Sequence, residues 1–337
     1  MRTLRHAALA LVASATVTGL SAQTVDPFYA GSYTLFNLGS VTGVPTNYGG
    51  LIFKSGDPNT ILLGGAANGG SGLFYEVPVA RGTGGHITGF GTATARGFGT
   101  NNDGGVAYGP SGVLFYSEYS INNVGQVKAG SNADDKTVAL TPLGVAVSTG
   151  ALNFVPAGYN GAGQFKVSSW SGGQFYTVAM TPDGSGTFNL TGATLEVTLP
   201  GGPEGFVYVP QGSPLFGSQS MLVSEYSSGN VASYTIDANG NPVIASRKTF
   251  VAGLTGAEGA AIDPITGDFV FSTYGGSNHL IRVQGFAAPG PPPAPVSTAP
   301  IPALSSLGLA VAALLVLASG LWLSRRSTIG RRRSSRR

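Results

Sequence analysis

Cysteine is absent from this 337-residue chain. The protein can therefore form neither disulfides nor thiolate metal sites, and it has no cysteine nucleophile. Of its three histidines, His6 lies in the apolar N-terminal region, which leaves His86 and His279. Neither has the spacing of a metal motif, and no Gly-x-Ser-x-Gly elbow or phosphate-binding loop stands between a strand and a helix. The usual catalytic signatures are missing.

Charged residues, among them the helix formers Glu and Lys, are also few. Charged side chains make up 10% of the sequence, against about 25% in an ordinary soluble domain. Instead the chain has 53 glycines and 21 prolines, and short runs of Val, Thr, Tyr and Phe alternate with turn residues. This composition predicts an all-β protein, and a hydrophobic content of 42% is enough for a packed core.

The net charge of +3 does not indicate a nucleic-acid partner. Seven of the 18 basic residues stand together at the C-terminus: Arg325, Arg326, Arg331, Arg332, Arg333, Arg336 and Arg337. Without them the rest of the chain is close to neutral or slightly acidic. It also lacks the interleaved basic and aromatic side chains of a phosphate-tracking groove, so nucleic-acid binding is not expected.

The N-terminus has the pattern of a secretory signal peptide over residues 1–22. Arg2 and Arg5 form a basic start, an apolar stretch follows, and Ser21 and Ala22 precede Gln23. The alternative is an N-terminal core helix, but the apolar stretch is continuous rather than amphipathic. The sequence thus predicts an exported protein whose ectodomain spans residues 23–288.

The C-terminus has the order linker, apolar stretch and basic stop. Residues 289–300 are rich in Pro and Ala, and residues 307–323 are almost wholly apolar. A helix of that length would cover about 25 Å, close to a membrane span, with its arginine tail on the cytoplasmic side. A plain single-span anchor is one interpretation of this segment.

The four residues Ile301, Pro302, Ala303 and Leu304, placed directly before that span, resemble the motif of an IPTL-CTERM sorting tail over residues 301–337. The resemblance implies recognition by an exosortase-type membrane protease that removes the span and passes the ectodomain to the cell surface. The protein is then anchored in the membrane until its tail is processed. The resemblance implies nothing about the role of the ectodomain.

Internal repeats organise the ectodomain. Five segments begin alike and recur at intervals of roughly 50 residues, a period typical of propeller blades: they start at Gly49, Gly104, Gly150, Glu204 and Glu258. In four of them the second strand ends in Ser-x-aromatic: Ser117 to Tyr119, Ser168 to Trp170, Ser224 to Tyr226 and Ser272 to Tyr274.

A period near 50 predicts a β-propeller, because small sheets of this length bury their faces by stacking around an axis. Five repeats predict five blades. The last repeat has only three strands, and residues 33–38 form a spare strand that could complete it and close the ring. A six-bladed propeller with one irregular blade is an alternative count, and a β-sandwich or β-solenoid is the competing fold.

Three carboxylates open repeats, namely Asp103, Glu204 and Glu258. In a propeller they would meet at one end of the central channel, where a hard cation such as Ca²⁺ could neutralise them. The alternative is that each accepts backbone N–H bonds or is solvated. The other two repeats have Tyr48 and Thr149 there, which are weak ligands. The arrangement is similar to that of NHL-type and gluconolactonase-like propellers, whose channel-end acids hold a metal.

Glu118 and Glu225 share another column of the repeat and are candidates for a second polar ring.

Together these features favour an exported, surface-sorted, non-catalytic propeller that binds an envelope polysaccharide or protein. The alternative is a metal-dependent hydrolase, lactonase or lyase that uses the channel acids, because paired carboxylates need only geometry and shifted pKa values to act.

Overall fold

The computed structural model describes residues 23–217 and 219–289. This part of the chain contains 22 β-strands and five single-turn 3₁₀ helices and no α-helix, as the composition predicts. The 3₁₀ turns are Thr83–Gly85, Pro110–Gly112, Thr141–Leu143, Tyr226–Ser228 and Ile244–Ser246.

The strands form five antiparallel sheets, one per sequence repeat, which we number as blades in chain order. Blade 1 contains β3 (Leu51–Lys54), β4 (Asp57–Gly65), β5 (Leu73–Arg81), β6 (Ile87–Phe90) and β7 (Thr94–Ala95). Blade 2 contains β8 (Asn102–Tyr108), β9 (Leu114–Glu118), β10 (Asn123–Val127) and β11 (Lys136–Ala139). Blade 3 contains β12 (Thr149–Phe154), β13 (Phe165–Ser169), β14 (Gln174–Pro182) and β15 (Phe188–Thr198).

Blades 4 and 5 each borrow a strand from the N-terminal segment. Blade 4 contains β16 (Pro203–Tyr208), β17 (Ser220–Glu225), β18 (Asn230–Thr235), β19 (Lys248–Ala252) and β1 (Thr24–Val25). Blade 5 contains β20 (Ala257–Ile262), β21 (Phe269–Thr273), β22 (Leu280–Gln284) and β2 (Thr34–Asn37). The described chain is therefore a five-bladed β-propeller, and the prediction of five blades is confirmed over the six-bladed and sandwich alternatives.

Ring closure uses the spare strand that the sequence indicates. Strand β2 pairs antiparallel with β22, with Thr34 opposite Gln284 and Asn37 opposite Ile281. It covers what would otherwise be an exposed sheet edge, which is a site of aggregation. The pairing of β1 with β19, with Thr24 opposite Ala252, was not predicted. The N-terminal segment thus joins two adjacent blades rather than one.

The serines of the Ser-x-aromatic column tie neighbouring blades together. The Ser272 hydroxyl accepts a hydrogen bond from the Gly259 N–H of its own blade at 3.0 Å and donates to the Gly49 carbonyl of blade 1 at 2.6 Å. Ser117 makes the same two bonds, from Gly105 and to Gly150 of blade 3. The recurrence in sequence therefore reflects a repeated contact between blades near the propeller axis.

Replacing Ser272 by alanine should lower the free energy of unfolding by about 1–3 kcal/mol, because it leaves two buried backbone groups without their partner. Ser224 is the matched control. It occupies the same column and is equally buried, but its hydroxyl has no hydrogen-bond partner in the described part of the chain. Urea denaturation of both alanine variants checks this. Equal losses would show that the hydroxyl contacts contribute nothing beyond packing.

The predicted signal peptide (1–22), most of the linker and the tail with its span (307–323) lie outside the described residues. Within residues 23–217 and 219–289, the structure contains no helix that is both long and apolar enough to cross a membrane.

Candidate metal centre

The three acidic residues of the repeat starts lie within irregularities of the innermost strands. In β20 the pairing with β21 shifts register between Ala257 and Ala260, and Glu258 falls in that interval. The same happens around Glu204 in β16 and Asp103 in β8. A β-bulge re-aims the extra residue away from the regular pleat of its own sheet. The bulges explain how side chains from three separate blades are directed to one place.

Each acidic residue is followed by glycine, and the reason is the close approach of backbones at the axis. A Cβ atom on Gly104 would overlap the backbone carbonyl of Glu204, although the two residues belong to blades 2 and 4. A Cβ on Gly205 would likewise overlap the carbonyl of Glu258. The absence of side chains at these positions allows the inner strands to approach closely enough for their carboxylates to meet.

The side chains of Asp103, Glu204 and Glu258 meet, as their shared repeat position predicts. One carboxylate oxygen from each can be chosen so that all three lie within 4.8 Å of one another. The residues are 0%, 4% and 1% exposed. None of the ion pairs in the described part of the chain involves these carboxylates. As ionised groups they form a concentrated negative charge that no protein cation neutralises.

Several of the carboxylate oxygens have no hydrogen-bond donor among the described residues. Both oxygens of Asp103, Oε2 of Glu204 and Oε1 of Glu258 are buried and unpartnered. The Gly104 N–H and the Asn68 side chain lie close enough to Asp103 to favour its charged form, but neither makes a hydrogen bond of normal geometry to the four atoms. Buried polar groups are normally hydrogen-bonded, so orphaned oxygens that converge on one point need another partner.

The environment disfavours the charged form of all three groups. Burial raises the pKa of Asp103 to about 6. Burial, followed by repulsion from the Asp103 charge, raises the pKa of Glu204 well above its ordinary value. Burial and then the charges of Glu204 and Asp103 do the same to the pKa of Glu258. Without a cation, protons take the place of the missing positive charge.

The residues at this repeat position in blades 1 and 3, Tyr48 and Thr149, make hydrogen bonds elsewhere. The Tyr48 hydroxyl accepts a hydrogen bond from the Val41 N–H at 2.8 Å, and the Thr149 hydroxyl donates to Asn122 at 2.5 Å. Blade 1 instead brings the Asn68 side chain beside Asp103, and its buried Oδ1 has no partner in the described structure. Asn68 lies in the loop after β4, in the one repeat whose second strand does not end in Ser-x-aromatic, so no repeat position pointed to it.

Glu118 and Glu225 are bonded within their own blades. Glu118 accepts a hydrogen bond from the Tyr116 hydroxyl at 3.0 Å. Glu225 accepts one from the Tyr234 hydroxyl at 2.6 Å and is paired with Arg247. These bonds lie within blade 2 for Glu118 and within blade 4 for Glu225, so the two residues have separate partners.

Four aromatic side chains stand at the same end of the propeller as the acids. We call them the aromatic collar: Tyr119, Trp170, Tyr226 and Tyr274, each the first residue after the second strand of its blade. Successive ring centroids are 6.0, 6.1 and 6.1 Å apart, with the rings edge to face. All four side chains are partly exposed. Asn68 lies beside Tyr274 and occupies the fifth sector.

The donor set fits a hard divalent cation. Carboxylate and amide oxygens are the ligands that Ca²⁺ prefers, whereas zinc and copper sites use histidine or cysteine, and neither type belongs to the acidic cluster. Asp103, Glu204 and Glu258 would hold the ion, and the Asn68 side chain lies beside Asp103. The fold and the site together define a five-bladed β-propeller with a buried acidic centre.

Comparisons with known proteins give fold likeness alone. No protein-family model and no curated protein sequence matches the chain. Glutaminyl cyclase of Myxococcus xanthus aligns over 75% of this chain and 95% of its own, with 15% identity and a TM-score of 0.45. A calcium structure of a Trichoderma reesei protein of carbohydrate-active enzymes family AA12 aligns over 79% and 98%, with 12% identity and a TM-score of 0.45. A protein proposed to be a gluconolactonase aligns over 77% and 94%, with 13% identity and a TM-score of 0.40. At this distance no activity or ligand transfers.

Proposed function

We propose that this protein is an exported, non-catalytic β-propeller of the cell envelope that holds one Ca²⁺ ion in its channel and presents the mouth above it to an envelope polysaccharide or protein. The observation that carries the proposal is the convergence of three buried carboxylates whose orphaned oxygens have no counter-charge among residues 23–217 and 219–289. Such a cluster is costly unless a cation completes it.

A structural role for the ion is favoured over a catalytic one by the burial of its ligands. The three acids are at most 4% exposed, and the inner strands pack backbone against backbone beside them. A general acid or base must come within hydrogen-bond reach of the substrate proton that it transfers. An ion needs only the converging carboxylate oxygens, whereas a lactone or glycoside would have to reach atoms that are buried.

Export and surface sorting are part of the proposal and rest on the two ends of the sequence. The signal-peptide pattern of residues 1–22 supports secretion, and the tail at 301–337 supports processing by an exosortase-type protease. The intact mass of the protein recovered from the cell surface tests this. A mass that includes residues 307–323 would contradict tail removal and favour a plain membrane anchor.

Calcium should raise the thermal stability of the chain. A ligand that binds only the native state at a hundredfold excess over its Kd adds about 2.7 kcal/mol. For a domain of this size that corresponds to a Tm increase of about 5 °C. Differential scanning calorimetry with Ca²⁺ and with EDTA measures it.

Glu204→Gln should abolish most of the increase, because it replaces a charged ligand with a neutral isostere. Glu196→Gln is the matched control, since Glu196 lies on outer strand β15 away from the cluster. An unchanged Tm at millimolar Ca²⁺ in the unsubstituted chain would refute the channel ion. An increase that persists in Glu204→Gln would place the ion elsewhere.

A further inference from the structure

The aromatic collar has a shape and an electrostatic setting that point to a specific ligand chemistry. The propeller has five sectors, and the collar occupies four of them at nearly equal spacing. A regular pentagon with sides of 6.0–6.1 Å has its corners about 5 Å from its centre, and a cation within about 6 Å of a ring centroid is attracted by that ring. If the four rings follow such a pentagon around the propeller axis, a group on the axis lies within that distance of each of them.

Negative charge lies below the collar. Burial, followed by the charges of the three buried acids, raises the pKa of the Tyr119 hydroxyl, and the same charges act on Tyr226 and Tyr274. The field of the acidic cluster therefore reaches the rings. When the channel ion is bound, the three acids are ionised and outweigh its double charge, so the mouth is negative. Without an ion, protons occupy the cluster below its raised pKa values, and the attraction for a cation then comes from the rings alone.

Positive side chains are nearly absent from this end of the propeller. The five loops between the second and third strands of the blades contain no lysine or arginine. Among the loops that lead into the inner strands, the only one is Arg96, and it is bonded to Glu76 and to the Ser131 carbonyl. An anionic ligand such as a phosphate or a carboxylate would find no partner here.

We infer that the aromatic collar, namely Tyr119, Trp170, Tyr226 and Tyr274 above the acidic cluster, binds an alkylammonium group of the protein's partner. Ring quadrupoles and the carboxylates below both favour a positive charge at the axis, and the apolar ring surfaces accommodate its methyl or methylene groups. This inference rests on the binding role proposed for the mouth and names the chemistry that it recognises. It does not require that the channel ion be Ca²⁺.

Choline and its neutral isostere 3,3-dimethyl-1-butanol separate cation recognition from simple apolar burial. Isothermal titration calorimetry with the full chain should show at least tenfold tighter binding of choline. Equal affinity for the two compounds would overturn the inference, as would an absence of choline binding at tens of millimolar. Tighter binding of a neutral sugar than of choline would also overturn it and assign the mouth to an uncharged glycan.

Variants locate the site. Trp170→Leu and Tyr226→Leu should each weaken choline binding at least fivefold, whereas Tyr226→Phe keeps the ring and should change it less than twofold. Choline binding that is unaffected in both leucine variants would place the ligand outside the collar. Trp170 and Trp322 are the only tryptophans, so in a Trp322→Phe chain the emission reports on the collar alone and should shift as choline binds.

The same titration in Ca²⁺ and in EDTA distinguishes this inference from the channel ion. Choline binding in both media, without a calcium-dependent Tm, would support the alkylammonium site and refute the channel ion. A calcium-dependent Tm without choline binding would support the channel ion and refute the alkylammonium site. Phosphocholine should bind more weakly than choline, because its phosphate meets the negative mouth, and this would indicate a free ammonium group rather than a zwitterionic head group as the source.

Discussion

Replacing Tyr33 by alanine should destabilise the propeller by about 3–5 kcal/mol, the usual cost of removing a large buried aromatic side chain. Tyr33 is 2% exposed and lies between the two strands that the N-terminal segment gives to blades 4 and 5. Its ring centroid is 4.6 Å from that of Phe286 and 5.3 Å from that of Phe250, and its hydroxyl donates to the Pro214 carbonyl at 2.5 Å. The side chain therefore holds the closing segment against the core.

Urea denaturation followed by circular dichroism measures the loss. Phe28→Ala is the control, because Phe28 lies in the turn before Tyr33 but is 51% exposed, with its ring contacting Lys248 and, edge to face at 4.8 Å, Tyr29. It should cost less than about 1 kcal/mol. Tyr33→Phe keeps the packing and should lose about 1 kcal/mol for the hydrogen bond. Similar losses for Phe28→Ala and Tyr33→Ala would show that the segment closes the ring through β2 pairing alone.

In the presence of EDTA, the stability of the propeller should fall as the pH rises from about 4 to 8. The unfolded carboxyls titrate near pH 4, whereas burial raises the pKa of Asp103 to about 6 and the pKa values of Glu204 and Glu258 further. The folded state therefore holds protons that the unfolded state has released. This stabilisation is complete below pH 4 and is lost as the pH passes the folded pKa values. One pKa unit corresponds to about 1.4 kcal/mol, so three such groups amount to several kcal/mol.

Calcium should reverse this trend, because the ion binds the deprotonated ligands and displaces their protons. The calcium-induced increase in the free energy of unfolding should thus grow between pH 5 and 8. Glu258→Gln should flatten the pH profile in EDTA, since it removes one titrating group and lessens repulsion on the other two. Chemical denaturation at several pH values, with and without Ca²⁺, measures both slopes. A metal-free stability that rises with pH over this range would contradict the raised pKa values.

The blade repeat could be predicted from the sequence because each blade is formed mainly by consecutive strands of the chain. Its strands pair with sequence neighbours, and the glycine and serine positions recur with the blade. The five starts at Gly49, Gly104, Gly150, Glu204 and Glu258 therefore coincide with the five inner strands. The need of a three-stranded last blade for a fourth strand was equally visible, and residues 34–37 supply it.

The geometry of the site depends on contacts between distant blades, which no local sequence pattern predicts. The sequence indicated that Asp103, Glu204 and Glu258 share a repeat position, but their meeting at 4.8 Å or less depends on bulges and on backbone packing across the axis. Asn68 and β1 are likewise far along the chain from the residues that they contact, so their roles could not be predicted from the sequence.

What the sequence determined by itself is the repeat, the number of blades, the closing strand and the set of acids. The tertiary structure alone decided that those acids are buried without a counter-charge in the described part of the chain and that four aromatic rings stand over them. The physical reason is that a repeat sets hydrogen-bond pairing within one sheet, whereas burial and charge at the axis are sums over five sheets whose members lie far apart in the chain.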